Sequence, residues 1–194
     1  MAYTRKTKSA NDYFVAGDSG AGYINPGHLQ EPREYSGLPS GVKTWTEHCR
    51  KYYRQWDLSV TGFIIDGYGP PMDEETLDAY TTFSKNGIVA QKIERTGIYK
   101  GMPFVRMNYD LVGRPEESAQ VVLSRLTGEK LGFFVFRTIL WSPTAHKRLF
   151  EAIKESGKDV EIVDPYTLFL LVEQATSNVQ HPTSNFQRSE GGQE

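Results

Sequence analysis

From Val60 the chain stays free of charge until Asp66, then breaks at once into Gly67-Tyr68-Gly69-Pro70-Pro71. A short apolar run without alternation fits a strand covered on both faces, as in a parallel sheet. Comparable runs at Tyr13–Ala16, Ile88–Ile93, Phe104–Asn108, Leu131–Leu140 and Val160–Val163 predict further strands. Between them the apolar positions fall at helical spacing. Trp45, Cys49, Tyr52 and Trp56 mark the buried face of a helix from Thr44 to Asp57, and Asp73-Glu74-Glu75 start a second that reaches Lys85. Gly113-Arg114-Pro115 opens a third helix, striped by Ala119, Val122, Leu123 and Leu126 and ended by Gly128. Ser142-Pro143 and Asp164-Pro165 each read as a cap followed by a first-turn proline.

Strand and helix therefore alternate about six times, which predicts an α/β fold with a parallel sheet. Six units fall short of the eight of a complete TIM barrel, so the expected form is an incomplete or distorted TIM-like barrel. Residues 1–176 read as a single β/α domain. The segment 177–194, rich in Ser, Gln, Asn and Gly, reads as a flexible tail.

The richest turn follows the first strand. Gly17, Gly20 and Gly22 permit positive φ and close approach of a ligand, while Asp18, Ser19 and Tyr23 add a charge, a hydroxyl and a stacking face. No lysine follows the last glycine as in a phosphate loop, and the spacing is not that of a dinucleotide turn. Within this turn, Gly20-Ala21-Gly22-Tyr23-Ile24-Asn25-Pro26 resembles the signature of the GxGYxYP putative glycoside hydrolase family, with Asn25 in place of the second tyrosine. The likeness extends from about Asp12 to Gln174, through Thr61-Gly62-Phe63-Ile64-Ile65-Asp66-Gly67 and Val160-Glu161-Ile162-Val163-Asp164-Pro165, and is similar to the later part of that family's C-terminal domain. The resemblance implies action on glycans. It also implies an upstream aspartate-rich motif, which has no counterpart in these residues.

In β/α folds the loops after the strands converge on one rim. Asp18 and Asp66 both end apolar strands before glycine-rich turns, so they are the expected carboxylate pair of a glycosidase, one protonating the leaving oxygen and the other acting as nucleophile or base. An aspartate before glycine serves equally well to shape its own turn. Ser19, Tyr23, Asn25, Tyr68, Asn108, Arg137 and Trp141 are the expected sugar-binding wall. Arg137 interrupts an apolar run and needs a facing carboxylate, Asp18 or Asp66 by this reading, with a purely structural ion pair as the plainer possibility. Asp110 and Glu94 also follow strands and are spare candidates for the acid. The alternative to an enzyme acting on a poly- or oligosaccharide is a noncatalytic carbohydrate-binding or assembly module.

Other chemistries have less support. The four histidines lack metal-ligand spacing, so neither a metal nor another cofactor is expected. No G-x-S-x-G elbow surrounds Ser19. A net charge of −2 with scattered basic residues argues against a nucleic-acid partner. The lone Cys49 excludes an internal disulfide and reads as a buried thiol. No apolar run is long enough to cross a bilayer, and the N-terminus lacks a leader's apolar segment. The expectation is a soluble chain, extracellular or at the cell surface if its natural parent is exported. Carbohydrate is the expected partner, and the composition sets no oligomeric state.

Overall fold

The computed structural model describes residues 2–33, 35–126 and 131–180 of the chain. A short helix α1 (Ala2–Thr7) leads into the glycine-rich turn, which contains two single-turn 3-10 segments, Asp18–Gly20 and Pro26–Leu29. Then follow α2 (Val42–Trp56), β1 (Val60–Ile64), α3 (Glu74–Phe83), β2 (Gly87–Ala90), β3 (Gly97–Tyr99), β4 (Met102–Leu111), α4 (Pro115–Ser124), β5 (Val135–Thr138), α5 (Pro143–Glu155) and α6 (Pro165–Gln180). The strands β1, β2, β4 and β5 are mutually parallel neighbours, and the sheet curls into a half-barrel. This is the incomplete TIM-like architecture that the alternation predicts.

The local signals set most helix starts. Asp73 caps α3 by accepting from the Thr76 amide at 2.8 Å, and Ser142 caps α5 by accepting from the Ala145 amide at 3.2 Å. The Asp164 carboxylate accepts from the amides of Tyr166 and Thr167 at the start of α6. Each oxygen satisfies a donor that the helix leaves orphaned.

Elsewhere tertiary contacts override the local reading. The helix expected from Thr44 begins at Val42 after Gly41, and its buried stripe is Val42, Trp45, Cys49 and Tyr53, with Tyr52 exposed. Tyr13–Ala16 reduces to one bridge, Ala16 to Thr61, held by two backbone hydrogen bonds to β1. The β3 strand, which pairs antiparallel with the start of β4, is unforeseen, since its three residues carry too little pattern. Val160–Val163 forms no strand, although Val160 packs on the α4/α5 layer. The expected strand Leu131–Leu140 shortens to β5, and the helix expected to stop at Gly128, which lies outside the described residues, already ends at Ser124. The α6 helix runs past the expected boundary at 176, and the expected tail from 181 onward also lies outside the described residues.

Three apolar layers hold these elements. Trp45, Cys49, Tyr53, Tyr80 and Phe83 of α2 and α3 pack on Ile64, Ile88 and Ala90 from one face of the sheet. On the opposite face, the inside of the curl, Phe169 and Val172 of α6 meet Val60, Val89, Val105 and Met107. A third cluster joins α4 and α5 to Leu111 at the end of β4. Phe169 sits beside Gly87, where β2 begins, so α6 plugs the curl from the end opposite the rim.

Candidate active site at the carboxyl rim

Inside the curl, past the reach of α6, lies a charged pair. Parallel neighbours in register share a face, and the register sets Asp110 of β4 beside Arg137 of β5. The guanidinium donates through Nε to Asp110 Oδ1 at 2.7 Å and through Nη2 to Oδ2 at 2.6 Å. This is the two-toothed geometry in which an arginine–carboxylate pair is strongest. Arg137 stands two residues beyond Val135, which faces α6, and its guanidinium lies 4.4 Å over the ring of Phe63 in β1. Both side chains of the pair remain about one-third exposed. Asp110 raises the Arg137 pKa through the hydrogen bond, against desolvation acting the other way, and the charges of Tyr23 and Asp18 add to the rise. Ala16 bridges in parallel to Thr61, so the turn carrying Asp18 and Tyr23 leaves the sheet beside the carboxyl end of β1.

The arginine thus finds the carboxylate it requires, but the partner is Asp110, not Asp18 or Asp66. Strand register makes the choice, because a side chain on the adjacent strand is nearer than any residue across the curl.

Asp18 reaches the rim through a strained turn. Asp18 and Ser19 have φ of 46° and 62°, two successive non-glycine residues in the left-handed region. Such residues cost on the order of 1 kcal/mol or more apiece and persist only where the surroundings over-determine them. Ser19 supplies that constraint. It is fully buried, its Oγ accepts from the Ile65 amide at 2.9 Å, and its carbonyl accepts from the Tyr80 hydroxyl at 3.0 Å. The expected role of Ser19 as a ligand hydroxyl is therefore corrected to that of a rivet beneath the turn.

Asp66 is also corrected. It has no exposed surface, and its two carboxylate oxygens accept from the backbone amides of Gln91 at 2.8 Å and Lys92 at 3.1 Å. Burial raises its pKa, and those two bonds oppose the rise. An acid enclosed in this way does not share a solvent-reachable hollow with Asp18. Its oxygens satisfy the first amides after β2, where the parallel strand pairing has ended.

The rest of the expected wall divides. Tyr23 and Tyr68 are 85% and 99% exposed, available as stacking faces. Asn25 accepts from the Gly27 amide, and Asn108 accepts from the Val135 amide at 3.0 Å, so both act within the chain. Trp141 packs edge-on to His146 and against the α4/α5 cluster, away from the curl. Glu94 is an exposed loop residue whose carbonyl accepts from Arg106. Phe63, absent from the expected set, is the floor beneath Arg137. Its signal is an aromatic two residues beyond Thr61 on a strand that bends between Thr61 and Ile64. Among the described residues, no group of three or more His, Cys, Asp or Glu side chains could hold a metal ion, and no helix is long and apolar enough to cross a membrane.

A parallel β/α half-barrel with a carboxylate–guanidinium pair inside its carboxyl rim defines the class of molecule. The family model for the GxGYxYP putative glycoside hydrolase C-terminal domain matches residues 1–173, and the chain belongs to that family. No match is found among curated proteins or among solved structures.

Proposed function

We propose that the rim binds a poly- or oligosaccharide and that this chain supplies the carboxylates for hydrolysing a glycosidic bond there. The observation that carries the reading is the two-toothed Asp110–Arg137 pair, about one-third exposed above the Phe63 ring at the carboxyl ends of β4 and β5. A glycosidase needs two carboxyl groups on either side of the scissile bond, about 5–10 Å apart. Asp110 and Asp18 are the two carboxyls of this reading. Tyr23 and Tyr68 offer ring faces to the apolar side of a sugar, while the remaining donor capacity of Arg137 suits its hydroxyls. The description of the family as glycoside hydrolases supports the same chemistry.

A noncatalytic sugar-binding module is the second reading, and Asp66 favours it. The carboxyl that burial pushes toward its neutral, proton-donating form is sealed from solvent by backbone amides. Hydrolysis of a broad oligosaccharide panel by the purified chain, repeated with Asp18→Asn and Asp110→Asn, separates the two. Losses of about 100-fold or more are expected for an acid or base in the reaction. Unchanged turnover in both variants would refute the site. Binding without turnover, lost in both variants, would establish the second reading.

A further inference from the structure

We propose that Asp66 is a positioning residue, whose buried carboxylate ties the loop after β1 to the loop after β2 and so presents Tyr68 as a fixed platform for the face of a sugar ring. The inference rests on the carbohydrate reading above and gives that site a second wall. The ties run in both directions. Asp66 receives the Gln91 and Lys92 amides, the Gln91 side chain accepts from the Gly67 amide at 3.0 Å, and the Lys92 ammonium donates to the Gly69 carbonyl. A third loop closes on the same segment. The Asn25 side chain lies so near Gly69 that a Cβ there would stand 2.2 Å from its nitrogen and force it to move. Gln30 then accepts from the Asp73 amide at 2.8 Å and donates to the Pro71 carbonyl at 3.2 Å, fixing the far end of the loop.

Every backbone group named here is held, yet Tyr68, between Gly67 and Gly69, is 99% exposed. A loop braced from three sides around a ring this exposed is preorganised for a ligand that stacks, since no side-chain packing among the described residues explains the ring. Fixing the backbone in advance lowers the entropy lost when a ligand binds. The apolar faces of pyranose rings match such a surface, and the loop adjoins the turn that carries Asp18 and Tyr23 through Asn25.

The test is a double-mutant cycle on binding, read by affinity electrophoresis in gels containing a soluble α-glucan, β-glucan, xylan or galactomannan. Tyr68→Ala should weaken retention by the best of these about tenfold, the scale of one aromatic contact. Asp66→Asn should weaken it by a similar factor, because an amide cannot accept both backbone donors, and the double variant should be no weaker than either single one. Losses that multiply would overturn the proposal, as would full retention by Tyr68→Ala. Gln91→Ala, which breaks the return tie while leaving the acid in place, serves the same cycle if Asp66→Asn does not fold. Amide hydrogen exchange needs no ligand. Slow exchange at Gln91 and Lys92 in the wild-type chain, accelerated in the variants, is expected. Fast exchange in the wild type would overturn the clamp, whereas slow exchange with no polysaccharide retained would overturn the sugar reading and the platform with it.

Discussion

Phe169→Ala tests the plug that supports the rim. The ring is 2% exposed and lies on the inner face of the sheet with Val60, Val89 and Val105, and Phe63 borders the same cluster. Removing it deletes a buried aromatic and leaves a cavity that a curled sheet cannot easily close, at a cost of about 3–5 kcal/mol. For a chain of this size each kcal/mol lowers Tm by about 2–4 °C, so a fall of about 6–20 °C is expected. Urea unfolding followed by circular dichroism gives the free energy directly. Gly87 supplies an internal check. Its φ is 142°, and a Cβ placed there would stand 2.4 Å from carbons of the Phe169 ring. Gly87→Ala should therefore cost about 1–3 kcal/mol from overpacking, beyond the backbone strain. With the ring gone, only the strain remains, so the double variant should be at least about 1 kcal/mol more stable than the sum of the single losses implies. A loss below about 1 kcal/mol for Phe169→Ala, or strict additivity with Gly87→Ala, would show that α6 does not dock inside the curl. The Arg137 site should weaken in parallel, because Phe63 would lose support beneath the guanidinium.

Two further outcomes follow from buried titratable groups. Burial raises the Asp66 pKa above the ordinary carboxylate value, so over that window the folded state holds the proton more tightly than the unfolded chain. Its contribution is fully present below the ordinary value of about 4 and is lost as pH rises through the folded pKa. The stability of the wild type minus that of Asp66→Asn should therefore fall as pH is raised through this window, and a difference that climbs instead would show the backbone bonds outweighing burial. Cys49 has no exposed surface, and desolvation pushes its thiol up to about 12. Labelling with iodoacetamide at pH 8 should require unfolding, and rapid modification of the native chain would contradict the packing of α2 against α3.

Local chemistry accounts for what could be read from residues alone. The caps at Asp73, Ser142 and Asp164 act over two or three residues, and the runs around Val60 and Ile88 are apolar whichever way the chain folds. The demand of Arg137 for a carboxylate was equally legible, because a cation amid apolar neighbours must be neutralised wherever it lies. The identity of its partner was not, since Asp110 is 27 positions away and meets it only when β4 and β5 pair in one register.

Asp18 and Asp66 show the same division. Both follow an apolar stretch and enter a glycine-rich turn, and that shared pattern does not separate them. The fold does so, by bringing the amides of Gln91 and Lys92 over one carboxylate while the other stays partly exposed in a turn held from beneath by Ser19. The residues by themselves determined the α/β alternation, the helix starts capped by Asp73, Ser142 and Asp164, and the family, because periodicity, capping and signature are properties of neighbouring positions. Only the tertiary structure decided which acid faces solvent, which one is enclosed and which one holds the arginine. Those outcomes depend on strand register and on the approach of backbone donors from loops distant in the chain.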